Sequence, residues 1–467
     1  MAPAHIRTGG AHGERSAEWI VHVRLSSLSE RLRTSLFFVP SVSVVVAVVL
    51  AEAGILTDSR VDLGGAHLPL GVASTVESAR AVLSTVAAAT ITFAGIAFSV
   101  SVLTIQLASS QYSPRVVHTL FRDPFNKRVM GLVVGTFTFC LVVLRSVRSP
   151  LEQDGTPVIP NLSVALAVVL GVTAILALVA FIDHSAHTMD VSEILERVST
   201  EALDHIRREW PLEAPAMAAP RVDDRPSHVV RFDRTGWVQQ IDTGAMLECA
   251  MPGGVIRVRS HPGRYAVAGT PICAIVPRPG DPEATERRIR AAVVVDATRT
   301  MQQDAPYGLR QLVDVALKAL SPGVNDPTTA QDAIFHVASV LVELLRRNPP
   351  PAVRDGEDGR QIVLDQQYTH DDVVGLAFDE VRLAAAGLPT VCVYLLEAMA
   401  LVHESLADAG LPAQAAVVAA QARLVVAGCA AADVLAVDLD HVRAAHRKRF
   451  GAADGVAVAT EAAVPLV

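Results

Sequence analysis

The residues best suited to polar chemistry gather late in the chain: Asp304, Tyr307, Arg310, Asp314, Asn325 and Asp326 put carboxylates, a phenol and a guanidinium on one short stretch. Such a set can bind a polar ligand in the cytoplasm. It assembles no nucleophile, base and oxyanion donor, however, and serves equally well for helix capping and surface ion pairs. A second group, Asp183, His184, His187 and Asp190, recurs at spacings of three and four, which bring side chains to one helix face. His184 and His187 are therefore candidates for a metal or a pH-responsive site, with solvated or hydrogen-bonded histidines as the alternative; lacking a third ligand, no metal is expected. A third pattern, Thr85, Ala88, Thr92, Gly95, Ser99, Val102 and Gln106, is small or polar apart from the valine and follows a seven-residue recurrence. That face can let helices approach closely, or it can line an aqueous path formed by several copies. No Gly-x-x-x-x-Gly-Lys-Ser/Thr loop, His-Glu-x-x-His motif or Gly-x-Ser-x-Gly elbow is present, so an enzyme is not expected.

The elements that hold these residues begin with four apolar segments, about Ser35–Leu56, Val82–Ala108, Val129–Leu144 and Leu162–Ile182, each near the roughly 20 residues that cross a bilayer. The second is long enough that it must tilt or project. The third is short, and Lys127, Arg128 and Arg145 at its ends are expected to snorkel to headgroups. No ionisable residue sits mid-span, which disfavours an ion-coupled pump. The N-terminal arm has Arg7, Arg15, Arg24, Arg31 and Arg33, and the loop before the third span has Arg115, Arg122, Lys127 and Arg128; the opposite loops have Arg60, Arg80, Arg145 and Arg148. Nine basic residues against four place both termini in the cytoplasm. Ser113 and Pro114 start a short helix that sets Arg115 and Arg122 near anionic headgroups. The net charge of -8 argues against a nucleic-acid binder, so no nucleic-acid partner is expected, and five scattered cysteines without a Cys-x-x-Cys pair suit a reducing compartment.

Beyond the spans, Val191, Ile194, Leu195, Val198, Ala202 and Ile206 continue a helical period as a stalk, and Pro211–Ser227, with four prolines, reads as a linker. Short alternating runs punctuated by glycine from His228 to Val276 read as a small β module. Its Gly263–Ile272 stretch resembles the half-turns of biotinyl and lipoyl barrel-sandwich domains, but no lysine lies between Lys127 and Lys318 to carry such a cofactor, so none is expected. The remainder is helical. Leu309, Leu312, Val313, Ala316 and Leu320 form one stripe, and Ala330, Ile334, Val337, Leu341 and Leu344 another, with Asp326 as N-cap and Pro327 at the first helical position. The organisation expected is a cytoplasmic arm over 1–33, a four-span transmembrane domain over 34–182, a stalk and linker over 183–227, a β module over 228–277, a helical domain over 278–451 and a tail over 452–467. In fold class this is an α-helical integral membrane domain of four spans plus a cytoplasmic α+β region with a small β barrel and a helical bundle.

Three blocks add a resemblance: Gln106–Arg115, Asn126–Gly135, and Tyr307-Gly308-Leu309-Arg310 through Ser321-Pro322-Gly323-Val324-Asn325-Asp326-Pro327-Thr328. They resemble the bacterial predicted membrane protein family known as domain of unknown function 2254, over about residues 30–450. The resemblance implies a multi-pass protein of the bacterial cytoplasmic membrane without an assigned activity. The expectation for function is a homo-oligomer in the lipid bilayer joined through the second span, around a passive ion path. The rival is a non-conducting sensory or binding scaffold.

Overall fold

The computed structural model describes residues 38–60, 75–111, 124–148, 160–187, 190–213, 219–221, 225, 227–364 and 368–451. The arm over 1–33, the short helix expected from Ser113 to Arg122 and the tail over 452–467 lie outside them. The chain divides into two compact units, Met1–Glu193 and Ile194–Val467.

The first unit holds α1 (Phe38–Arg60), α2 (Val76–Gln111), α3 (Pro124–Ser146) and α4 (Asn161–His187). Their ends alternate, and cross-links at one end show it. Arg145 on α3 meets Glu52 on α1 at 2.8 Å, and Arg80 on α2 donates to the Val147 carbonyl at 2.9 Å. Asp58 on α1 caps α4 from outside, accepting the Leu162 and Ser163 N–H groups at 3.0 and 3.1 Å and the Ser163 hydroxyl at 2.7 Å. At the other end the Phe125 ring lies 4.7 Å from that of His184. There Lys127, expected to snorkel, is instead buried. Two apolar layers fill the interior, one around Ala51, Leu83, Phe139 and Val143, the other around Ala97, Val133, Leu178 and Phe181. Gly131 and Gly135 face Ser43, and a Cβ at 131 would meet the Ser43 hydroxyl at 2.5 Å, so these glycines set the α1–α3 approach. At 36 residues α2 is about 54 Å long, well beyond a hydrocarbon core of about 30 Å.

The fourth apolar helix does not run on into the stalk expected after it. It ends at His187 and α5 (Val191–Glu209) starts anew, with Asp190 Oδ1 accepting the Ser192 N–H at 3.0 Å. Nor is α5 a free stalk. Ile194, Leu195, Val198, Ala202 and Ile206 are all buried, within the second unit.

That unit contains strands β1 (His228–Arg231), β2 (Gly236–Ile241), β3 (Val255–Val258), β4 (Tyr265–Ala266), β5 (Pro271–Val276), β6 (Val293–Asp296), β7 (Val353–Asp355) and β8 (Gln361–Leu364), with α6 (Thr243–Glu248) and α7 (Pro282–Ala291) between them. They form a five-stranded sheet, ordered β1-β5-β3-β8-β7, and a three-stranded sheet, β4-β2-β6. Val230, Val238, Ile241, Ile256, Ile272, Ile275 and Ile362 from both sheets share one core. The sheet region thus draws β6, β7 and β8 from beyond 228–277, the segment expected to hold all the strands. Strand β8 lies parallel to β3, a pairing that depends on a distant segment and leaves no local signal.

Helices α8 (Pro306–Ala319), α9 (Pro327–Leu345), α10 (His370–Ala385), α11 (Pro389–Asp408), α12 (Pro412–Ala431) and α13 (Ala436–Phe450) complete the unit. The two expected stripes are buried, and Asp326 caps α9 through the Thr329 N–H at 3.1 Å, with Pro327 in the first turn. Among the described residues, six helices are long and apolar enough to cross a membrane: α1 to α4, and also α11 and α12.

Candidate functional site

In the first unit the α2 stripe turns away from the chain's own helices. Thr85, Ala88, Thr92, Gly95, Ser99 and Gln106 are exposed, whereas Ala79, Leu83, Ala87, Thr90 and Ala97 on the opposite side are buried. Val45, Val49, Leu176 and Val179 on α1 and α4 are each more than 60% exposed and suit lipid, and so do Ile91, Ile96, Phe98 and Leu103, which are exposed on α2 alongside the stripe. The stripe hydroxyls bond back to their own helix, Thr85 to the Ala81 carbonyl at 2.7 Å, Thr92 to Ala88 at 2.8 Å and Ser99 to Gly95 at 2.9 Å. The face is therefore small and already hydrogen-bonded, and a Cβ at Gly95 would meet nothing within 4 Å. At the end of α4, His187 Nδ1 bonds the Asp183 carbonyl at 2.9 Å while His184 packs on Phe125. No group of three metal-ligating side chains exists among the described residues.

In the second unit the six polar residues fall into three arrangements. Asn325 and Asp326 make the turn into α9; Asn325 sits in the left-handed region at φ 49°, which asparagine tolerates better than most residues. Thr329 donates to Asp326 from its hydroxyl, at 2.6 Å, and from its backbone N–H, and these bonds hold the Asp326 carboxyl below its ordinary range. Arg310 forks onto both oxygens of Glu380 on α10 and reaches Asp314 one turn along α8 at 2.8 Å.

Asp304 and Tyr307 belong to a third and more enclosed arrangement. The loop that carries Arg299 is laced to β2: Gln239 donates to the Thr298 carbonyl at 2.7 Å, Gln240 to Gln302 at 2.6 Å, and Gln303 accepts the Ile241 N–H at 2.9 Å. Arg299 Nε then meets Asp304 at 2.6 Å, with the Asp304 side chain wholly out of solvent. The guanidinium lies 4.7 Å from the Tyr307 ring centroid and 5.6 Å from that of Trp237, and it donates to the Tyr368 hydroxyl at 3.2 Å. Tyr265, opposite Trp237 across the β2–β4 pair, presents its ring edge-on at 5.2 Å, and His261 does the same to Tyr368 at 6.0 Å. Gly263, at φ 85°, lets its loop lie directly on the ion pair, since a Cβ there would overlap the Asp304 carboxylate. Burial pushes the Asp304 carboxyl up, against the hydrogen bond and charge of Arg299, and its Oδ1 is sealed without a hydrogen-bond partner among the described residues. Sequence reasoning reached Asp304 and Tyr307 but missed Trp237, His261, Gly263, Tyr265, Arg299 and Tyr368. A usable signal existed, because tyrosine and tryptophan are scarce in this chain.

These features define a predominantly helical membrane protein with a small sheet region. The chain belongs to the predicted membrane protein family DUF2254, whose profile matches residues 33–401. Two uncharacterized mycobacterial proteins, one from Mycobacterium bovis and one from Mycobacterium tuberculosis, are each 29% identical to it over 416 residues, covering 86% of this chain and 78% of the relative. No solved structure matches it.

Proposed function

We propose that the protein spans the bacterial cytoplasmic membrane four times, with both termini and the second unit in the cytoplasm, and that its copies associate through α2 around a passive ion path. The observation that carries this is the outward α2 stripe of Thr85, Thr92, Gly95, Ser99 and Gln106, small and polar between the exposed apolar Ile91, Ile96, Phe98 and Leu103 of the same helix. Hydroxyls satisfied within their own helix cost little to bring into a dry interface and still line an aqueous one. Passive conduction accords with the placement of Glu52 and Asp58, which are engaged by Arg145 and the α4 N-terminus near one end of the unit. Four spans are favoured over six because α11 and α12 are less apolar than any of α1 to α4, and α12 exposes Arg423.

Ser99→Cys supplies the test, since the natural cysteines among the described residues are buried. In membranes, mild oxidation is expected to link copies of this variant, and liposomes loaded with the protein are expected to pass ions at a rate altered by Ser99→Asp. Linkage without flux would remove the conduction part and leave a non-conducting assembly. A chain that stays monomeric and unlinked at every lipid ratio would sink the proposal.

A further inference from the structure

The chain has three tryptophans and five tyrosines, yet Trp237, Tyr265, Tyr307 and Tyr368 come together around one arginine. The open valences of that cluster have a consistent sense. Arg299 spends Nε on Asp304 and Nη2 on Tyr368; Nη1 has no hydrogen-bond partner among the described residues, and the side chain keeps 18% of its surface. His261 spends Nδ1 on the Pro262 carbonyl at 2.8 Å, which leaves Nε2 open on a half-buried ring. Tyr265, at 51% exposed, offers a ring face to solvent beside the half-buried Trp237. Behind them Asp304, with an unpartnered and fully enclosed oxygen, holds the guanidinium plane in place, and Gly263 admits the backbone of the His261 loop to the same spot. A cluster built only to fill a core has no need of a buried charge with an open acceptor or of an exposed aromatic pair beside an arginine with a free edge.

We propose that this cluster is a binding site for a small ligand that carries an oxyanion, phosphate or carboxylate, on a flat ring. The ring stacks on Trp237 and Tyr265, and the oxyanion takes Arg299 Nη1 and His261 Nε2. Asp304 acts as a positioning residue. Because Asp304 offsets part of the arginine charge, neither the ring nor the anion suffices alone. The site stands independently of α2 association.

Tryptophan fluorescence and calorimetry of the full chain in lipid nanodiscs test it, with AMP, adenosine, inorganic phosphate and nicotinate as probes. AMP or nicotinate is expected to saturate within about 1 mM, and whichever does so identifies the anion as phosphate or carboxylate. Adenosine and phosphate are expected to bind at least tenfold more weakly. Tyr265→Ala alters an exposed side chain and should keep the fold, and it is expected to weaken binding roughly five- to a hundredfold, the range for loss of one aromatic stack. His261→Gln is expected to weaken the anionic probe and leave adenosine unchanged. The proposal is overturned if protein that melts cooperatively gives no saturable signal with any probe, if adenosine or phosphate alone binds as tightly as the combined ligands, or if both variants bind like the parent.

Discussion

Asp304 and Arg299 meet at 2.6 Å with the carboxylate out of solvent, so each is the other's principal compensation for lost hydration. Removing one partner leaves a buried charge. Asp304→Ala is expected to cost about 3–5 kcal/mol in chemical denaturation, whereas the double change Asp304→Leu with Arg299→Met is expected to recover most of that loss. Equal losses in the single and double variants would show that the pair is not the source. Asp326 provides a milder case with a clear sign. Its folded-state value is depressed by Thr329, so its contribution is present above the unfolded carboxyl value of about 3.9 and fades as pH falls through the folded value. Asp326→Asn keeps the cap, so melting temperatures of the two proteins should agree at the lowest pH and separate in favour of Asp326 as pH rises through that window. Asp326→Ala is expected to cost about 1 kcal/mol at neutral pH. The Asp326 cap and Pro327 were legible in the sequence because a cap uses neighbours three residues away; Arg299 was not, because beyond its near neighbours Asp304 and Tyr307 it is closed in by Trp237 on β2 and Tyr368 before α10.

Among the elements, α5 shows how far a local period reaches. Its apolar stripe is readable, but its partners are not, and they convert an expected stalk into part of the second unit. Ser199 bonds His336 on α9 at 2.9 Å, Arg347 donates to the Trp210 carbonyl at 2.8 Å, and the Asn348 N–H donates to the Pro211 carbonyl at 2.8 Å. Ala202 crosses α8 at Gly308, where a Cβ would come within 2.5 Å of the alanine Cβ. Gly308→Ala is therefore expected to destabilise the second unit by about 1–3 kcal/mol through overpacking, despite a gain of about 1 kcal/mol in helix propensity. Gly95→Ala on α2 meets open space within its own chain and is expected to leave the melting of the monomer in detergent unchanged or raise it. If thermal melting moved the same way for both, close approach at 308 would not be the determinant.

At the scale of the whole molecule, the two units carry separate cores, and α11 and α12 raise the count of sufficiently long apolar helices among the described residues to six. Length and composition do not distinguish a span from a helix buried by its neighbours. A fragment covering 190–451 resolves the question: it is expected to stay in the supernatant without detergent and to melt cooperatively, whereas recovery only with membranes would return α11 and α12 to the bilayer.

Four long apolar runs, the helix caps and the glycine-punctuated strands were set by residues close in sequence, because hydropathy, capping and turn formation act over a few positions. Family membership was equally legible in the Tyr307–Arg310 and Ser321–Thr328 blocks. Only tertiary structure decided that β7 and β8 complete a sheet begun more than 100 residues earlier, that α2 turns its hydroxyl face outward, and that Trp237, His261, Tyr265, Arg299 and Tyr368 close around Asp304. Those outcomes depend on which surfaces bury one another. That choice is made by strand register and packing across the whole chain, and no short window of residues contains it.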